Sequence, residues 1–169
     1  MNNPTGSLET VKCSPWSYQN KTLLIGDAAH AIVPFYGQGM NASFEDVTIF
    51  DEILNQNLNN WEAVFKTYEK ARKKDTDAIA DLAIDNFYEM RDHVDDIAFI
   101  HKRALEMQLE EKYPEYYSKY SMVTFNKDLG YQDAMNMGRS QDKLLLDLCR
   151  KNPNPDLEEV ILAIRKLHG

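Results

Sequence analysis

Two cysteines in 169 residues, Cys13 and Cys149, stand at opposite ends of the chain with no Cys-x-x-Cys between them. That excludes a disulfide framework and a cysteine-rich zinc site, and it fits a reducing, cytoplasmic setting. Seven glycines and six prolines are too few for a turn-rich all-β protein, so helices are expected to dominate. Clustered positive charge is also missing. Nineteen Lys and Arg face 27 Asp and Glu for a net charge of -8, and the densest basic run, Arg72-Lys73-Lys74, is short and falls at an expected helix end. Nucleic-acid binding relies on basic clusters to neutralise phosphates, so no nucleic-acid partner is expected. No apolar run approaches the ~18 residues that a membrane span requires, and the first residues lack the basic and apolar regions of a leader. The four histidines, at 30, 93, 101 and 168, show no metal-ligand spacing, so no metal site is expected.

What the chain does have is a globular composition, 43% hydrophobic and 27% charged, at a length that suits one core. Residues 8–13 alternate in polarity and read as a strand, and the apolar run 21–25 reads as a second. Residues 15–20 form the loop between them. Lacking alternation, the second strand is expected to be buried on both faces at a sheet centre. The one further strand candidate is Met122 to Phe125.

From Gln38 the period turns helical through Phe44, Val47, Phe50 and Leu54, ending at Asn57 to Asn60. A second helix follows on Trp61, Val64, Phe65 and Tyr68. A third begins near Asp75 and carries one face through Ile79, Leu82, Asn86, Met90, Val94, Ile97 and His101 to about Leu109. Asn86 interrupts an apolar stripe and must find a partner or a ligand. The last helix starts at Asp156, an N-cap with Glu159 three residues on, after the linker Pro153-Asn154-Pro155.

Three of the seven glycines, Gly26, Gly37 and Gly39, lie within fourteen residues, among Ala28, Ala29, Ala31 and Ala42. Such small residues let a backbone approach a ligand closely, and a helix starting at Gln38 or Gly39 offers free N–H groups to an anion. Asp27, at the carboxyl end of an expected buried strand, is placed where α/β sheets bind ligands, and it can accept hydrogen bonds from hydroxyls. Asp27 as a simple cap and the glycines as turn residues account for the same pattern. Gly37-Gln38-Gly39-Met40-Asn41-Ala42 also matches the dinucleotide fingerprint, but Pro34-Phe35-Tyr36 is a poor strand end and the match is rejected. His30 beside a glycine loop reads as structural, and no catalytic residue is assigned.

The segment Gly26-Asp27-Ala28-Ala29-His30, followed by Pro34 and Gly37-Gln38-Gly39-Met40-Asn41, resembles the second flavin-contacting motif of FAD-dependent aromatic hydroxylases. The fuller string from Leu24 to Phe35, with Phe44-Glu45-Asp46 downstream, is similar to the kynurenine 3-monooxygenase family within them. Residues 86–91 and 120–125 resemble two further segments of that family. The resemblance covers roughly residues 4–145, and the tail from Asn152 has no counterpart in it.

The resemblance implies a monooxygenase with FAD as cofactor and NADPH as co-substrate, which uses O₂ to hydroxylate a small aromatic amino acid, kynurenine, ortho to its amine. It implies a cofactor set of Gly26, Asp27, Pro34, Gly37, Gln38, Gly39, Met40 and Asn41, with Asp27 on the ribitol and Met40 and Asn41 at the isoalloxazine edge. Phe35, Asn86, Met90 and Tyr120 form the implied substrate set. For Asn86 a satisfied core position, and for Tyr120 a packing role, remain the lesser alternatives.

The resulting expectation is a mainly α fold with a short β portion. It corresponds to the carboxyl-terminal part of the hydroxylase α/β fold without its amino-terminal Rossmann portion, since no strand-turn-helix with the G-x-G-x-x-G fingerprint lies in these 169 residues. Residues 1–37 would belong to the FAD-binding domain, 38–151 would complete the flavin and substrate sites, and 152–169 would form a terminal helix. A sheet so reduced suggests a homo-oligomer or a missing amino-terminal segment, and inactivity of the 169 residues on their own. The competing functions are another FAD-dependent aromatic hydroxylase, and a helical interaction module without chemistry.

Overall fold

The computed structural model describes residues 5–58, 60–92 and 95–169 and is mainly helical with one two-stranded sheet. Where the length suggests one core, the chain divides into two compact units, Met1–Asn86 and Phe87–Gly169. The expected divisions after residues 37 and 151 concern which ligand each stretch serves, which compactness does not test.

In the first unit, β1 (Ser17–Tyr18) pairs antiparallel with β2 (Thr22–Leu23), Ser17 opposite Leu23 and Tyr18 opposite Thr22. Gln19 and Asn20 turn the chain at φ 50 and 53, and Lys21 N–H closes the turn on Tyr18 O at 3.1 Å. The expected loop at 15–20 therefore contains a strand. Residues 8–13, expected as a strand, run beside the single helical turn at 27–30 and the extended residue after it instead: Val11 N–H donates to Ala31 O (2.8 Å) and Cys13 N–H to Ala29 O (3.4 Å). A helical neighbour cannot continue a ladder, so β propensity gives way to the available partner. The run 21–25 is not a buried central strand either. With β1 as its single described neighbour, it leaves Leu24 and Ile25 each 36% exposed.

Three helices complete this unit: α1 (Asp27–His30), α2 (Gly39–Gln56) and α3 (Trp61–Asp92), the last crossing into the second unit. Gln38 is the N-cap of α2, where the change of period placed it, and α2 ends as expected at Asn57, whose N–H bonds Ile53 O and Leu54 O. Asn59 lies outside the described residues. The expected break before Asp75 is absent. α3 is one rod of 32 residues, about 48 Å long. The basic run at 72–74 is thus mid-helix and not a helix end, with Arg72 buried inward. Trp16, Ala29, Ile53, Val64, Phe65 and Tyr68 form the core, and Trp16 lies 5.5 Å from His30 and 5.6 Å from Tyr68, ring to ring. Cys13, half-buried, donates its thiol to Ala29 O at 3.1 Å.

The stripe expected to run unbroken to Leu109 is interrupted. Val94 lies outside the described residues, and α4 (Ile97–Lys112) starts afresh from Asp96, whose carboxylate accepts Ala98 N–H at 2.8 Å. Residues 122–125, expected as a strand, fall largely within α5 (Lys119–Thr124), which is capped by Ser118. α6 (Tyr131–Lys151) and α7 (Leu157–His168) follow, and Asp156 caps α7 as its sequence implies, accepting the N–H groups of Glu158 (2.9 Å) and Glu159 (3.1 Å). Leu105, Leu109, Tyr116, Leu145, Cys149, Val160, Ile161 and Ile164 form the second core.

Candidate functional site

Gly26 adopts φ 61 and ψ -142, a backbone region open to glycine and to few other residues. Its N–H donates to Asp46 Oδ2 at 3.1 Å, and a β-carbon there would stand 3.3 Å from Ser43 Oγ. The motif glycine is therefore seated on the second turn of α2. Asp46 is fully buried and collects two more partners: His30 Nε2 at 2.5 Å from Oδ2, and Arg72 Nε at 2.7 Å from Oδ1. Arg72 also donates to Ala42 O (3.2 Å) and pairs with Glu45 (3.1 Å).

Burial works to raise the Asp46 carboxyl, but hydrogen bonds from His30 and Arg72 and their charges outweigh it and hold it below the usual carboxylate range. Burial likewise works against the Arg72 cation, and Asp46 more than restores it. With Asp46 ionised, Nε2 of His30 carries the proton of their bond. Nδ1 is buried with no hydrogen-bond partner among the described residues. His30 is thus spent on holding Asp46. The network is not legible in the sequence: Asp46 stands in Phe44-Glu45-Asp46, but Arg72 lies 26 residues further on, inside a basic run expected at a helix end.

The residues expected at a cofactor lie at the start of α1, in the loop after it and in the first turn of α2. Asp27, next to Gly26, is exposed, as are Pro34, Gly37, Met40 and Asn41; Gln38 is buried and Gly39 half-buried. Gly37, at φ 71, closes a turn by donating to Pro34 O at 3.2 Å, and a β-carbon there would meet nothing within 4 Å. The first-turn amides of α2 have no side-chain cap and no acidic neighbour in that turn. The Asn41 amide instead reaches Gln38 Oε1 at 2.9 Å. The uncapped N–H donors of α2 and the exposed carboxylate of Asp27, which follows the glycine seated on that helix, offer complementary partners to a ligand that carries both anionic oxygens and hydroxyls.

Of the expected substrate residues, the structure joins two. Half-buried Asn86 donates its amide to Phe35 O at 2.5 Å, tying the glycine loop to α3. This supplies a partner for the polar break in the α3 stripe. Met90 and Tyr120 belong to the second unit and are exposed there, with Tyr120 edge-on to Phe125 at 6.4 Å. Among the described residues no cluster of metal-ligating side chains occurs, and no helix is long and apolar enough to cross a membrane.

Residues 8–83 match the FAD binding domain family. The chain is 42% identical to kynurenine 3-monooxygenase of Dictyostelium discoideum, over 96% of this chain and 38% of that protein. Nearly the whole chain is homologous to one stretch of kynurenine 3-monooxygenases. The enzyme of that name from Christiangramia forsetii is 41% identical over 97% of this chain and 38% of its own length, and that from Myxococcus xanthus 46% identical over 90% and 33%. The chain thus spans little more than a third of the relatives it matches. The likeness also reaches further than the expected limit near residue 145: coverage of 97% leaves about five residues outside, so it extends into the tail after Asn152.

Proposed function

We propose that this chain is the carboxyl-terminal part of a flavin-dependent monooxygenase that hydroxylates L-kynurenine to 3-hydroxykynurenine with NADPH and O₂. The observation that carries the reading is the uncapped start of α2, with exposed Asp27 following the glycine that α2 seats, inside a segment related to FAD-binding domains. Bound FAD would supply the redox chemistry that activates O₂. Asp27 would accept ribitol hydroxyls, and the amides of Gly39, Met40 and Asn41 would donate to the pyrimidine edge, where their partial positive charge would favour negative charge on the bound group. Gly26, Gly37 and Gln38 shape the loops that allow this approach, and the Asp46 network fixes Gly26. Asn86 and Tyr120 bind the amino-acid end of the substrate; Pro34, Phe35 and Met90 keep water from the reacting ring.

In the complete protein, Asp27→Ala removes a charge-assisted hydrogen bond and should weaken FAD by ~1.5–3 kcal/mol, about ten- to a hundredfold in dissociation constant by fluorescence titration. Unchanged flavin affinity refutes the assignment of Asp27. Product analysis tests the reaction itself: 3-hydroxykynurenine should accumulate with NADPH consumption, and efficient turnover of another aromatic with none of kynurenine overturns the substrate.

A further inference from the structure

Lys119, the first residue of α5, is 7% exposed, and its ammonium is held by two carboxylates: Glu89 near the end of α3, and Asp142 Oδ2 of α6 at 2.5 Å. The other oxygen of Asp142 lies 2.6 Å from Lys102 of α4, itself 3.4 Å from Glu106. Beneath the lysine stem is Gly138 of α6, where a β-carbon would stand 2.5 Å from Lys119 Cγ and 3.2 Å from its Cα. No side chain fits between α5 and α6 at this point, so α5 is seated backbone-close and pinned by charge.

A six-residue helix has too few internal hydrogen bonds to hold its own geometry, so its placement comes from outside. Its N-terminus is fixed by the Glu110 carboxylate, which accepts Ser118 N–H (3.1 Å) and the Ser121 hydroxyl (2.5 Å). The ammonium fixes its first turn. Burying a lysine between carboxylates is a poor source of stability compared with an apolar side chain of the same length, so what the arrangement supplies is a defined geometry. The residues adjoining the clamp are Tyr120, next to Lys119, and Met90, next to Glu89.

We propose that Lys119 is a positioning residue: by tying α5 and the last turn of α3 to Asp142, it sets where Tyr120 and Met90 stand and thereby the affinity for the aromatic amino-acid substrate. This rests on the reading that Tyr120 and Met90 face that substrate. Removing the ammonium while keeping the stem should let α5 shift its register against Gly138, and Tyr120 with it.

The test uses the complete protein and four variants: Lys119→Met, Tyr120→Phe, the two combined, and Glu89→Gln with Lys119→Met, which removes a carboxylate along with its partner should the single change fail to fold. Kynurenine binding is read by equilibrium dialysis, KM and kcat by steady-state kinetics, flavin content by absorbance, and folding by thermal denaturation. Lys119→Met should raise the kynurenine Kd and KM about tenfold with flavin content kept, and should add little once Tyr120→Phe is present, because one residue acts through the other. The Glu89→Gln, Lys119→Met pair should show the same loss. If Tyr120→Phe weakens kynurenine while both Lys119 variants bind it normally, with only a lowered melting temperature, Lys119 is structural and the proposal falls. Additive effects of Lys119→Met and Tyr120→Phe overturn it equally. If Tyr120→Phe itself leaves kynurenine binding unchanged, the substrate reading of Tyr120 fails first and the positioning role falls with it.

Discussion

In the first unit a single carboxylate, Asp46, gathers a backbone amide, an imidazole and a guanidinium. In the second, Lys102 and Lys119 share Asp142, Glu106 and Glu89 across four helices. Three donors converge on Asp46, and together they outweigh its burial, so its charge is stabilised and its carboxyl lowered. Glu106 lies on the opposite side of the balance. Burial and the nearby Asp142 charge push its carboxyl up, against the opposing pull of Lys102 and Arg103. The Asp46 carboxylate ties down one backbone point, the Gly26 amide. A shared set of charges instead sets distances between helices without perfecting any one ion.

The largest expected effect comes from breaking the Asp46 centre. Asp46→Ala leaves the buried Arg72 guanidinium with only Glu45 and Ala42 O among its described partners and frees Gly26, and should cost ~3–5 kcal/mol. Both tryptophans, Trp16 and Trp61, lie in the first unit, so chemical denaturation followed by tryptophan fluorescence reads the loss there. A loss under ~1 kcal/mol would mean that the contacts of Asp46 are replaceable by water.

Gly138→Ala comes next. It forces a methyl group into the stem of Lys119, an overpacking cost of ~1–3 kcal/mol partly offset by up to ~1 kcal/mol of better helix propensity. Thermal denaturation should show a net loss, and a neutral or stabilised variant would contradict the close seating of α5.

Smaller still, and opposite in sign between the units, is the pH dependence. The lowered Asp46 carboxyl contributes stability that is present above its ordinary pKa of 3.8 and lost as acid protonates it, so the first unit should weaken below about pH 4. The raised Glu106 carboxyl contributes stability that is full below its ordinary value of 4.5 and declines as pH rises through its folded pKa. Glu106→Gln should therefore remove a loss of stability on going from pH 4.5 to neutrality. Denaturation midpoints of the variant and the parent at several pH values check it, and parallel curves would show that Glu106 ionises as it does in the unfolded chain.

The same contrast explains which features the sequence made legible. The start of α2 at Gln38 and the cap at Asp156 are local signals, and each is found where the residues indicated. Continuous α3 was not legible. Arg72-Lys73-Lys74-Asp75 looks like a helix end unless one knows that Asp46 waits for Arg72 inside the core. Residues 8–13 and 122–125 have the composition of strands, yet the first found a helix to lie against and the second a cap at Ser118 with Glu110 behind it. At the candidate site, Asp27, Met40 and Asn41 could be named from the motif, whereas the support beneath Gly26 depends on contacts 16 to 26 residues apart in the chain.

The two cysteines divide between the units in a way that makes each a chemical clock. Cys149 is 3% exposed and its thiol is pushed up by burial and by the charge of Glu106, so in the folded state almost none of it is thiolate and a maleimide finds nothing to attack. Cys13 is half-buried and donates to Ala29 O, close to the stretch that runs beside Ala31. Alkylation of Cys149 therefore counts openings of the second core. Alkylation of Cys13 counts the loosening of the segment that rests on the motif helix, so one reagent and a mass spectrum resolve the motions of the two units without any added label.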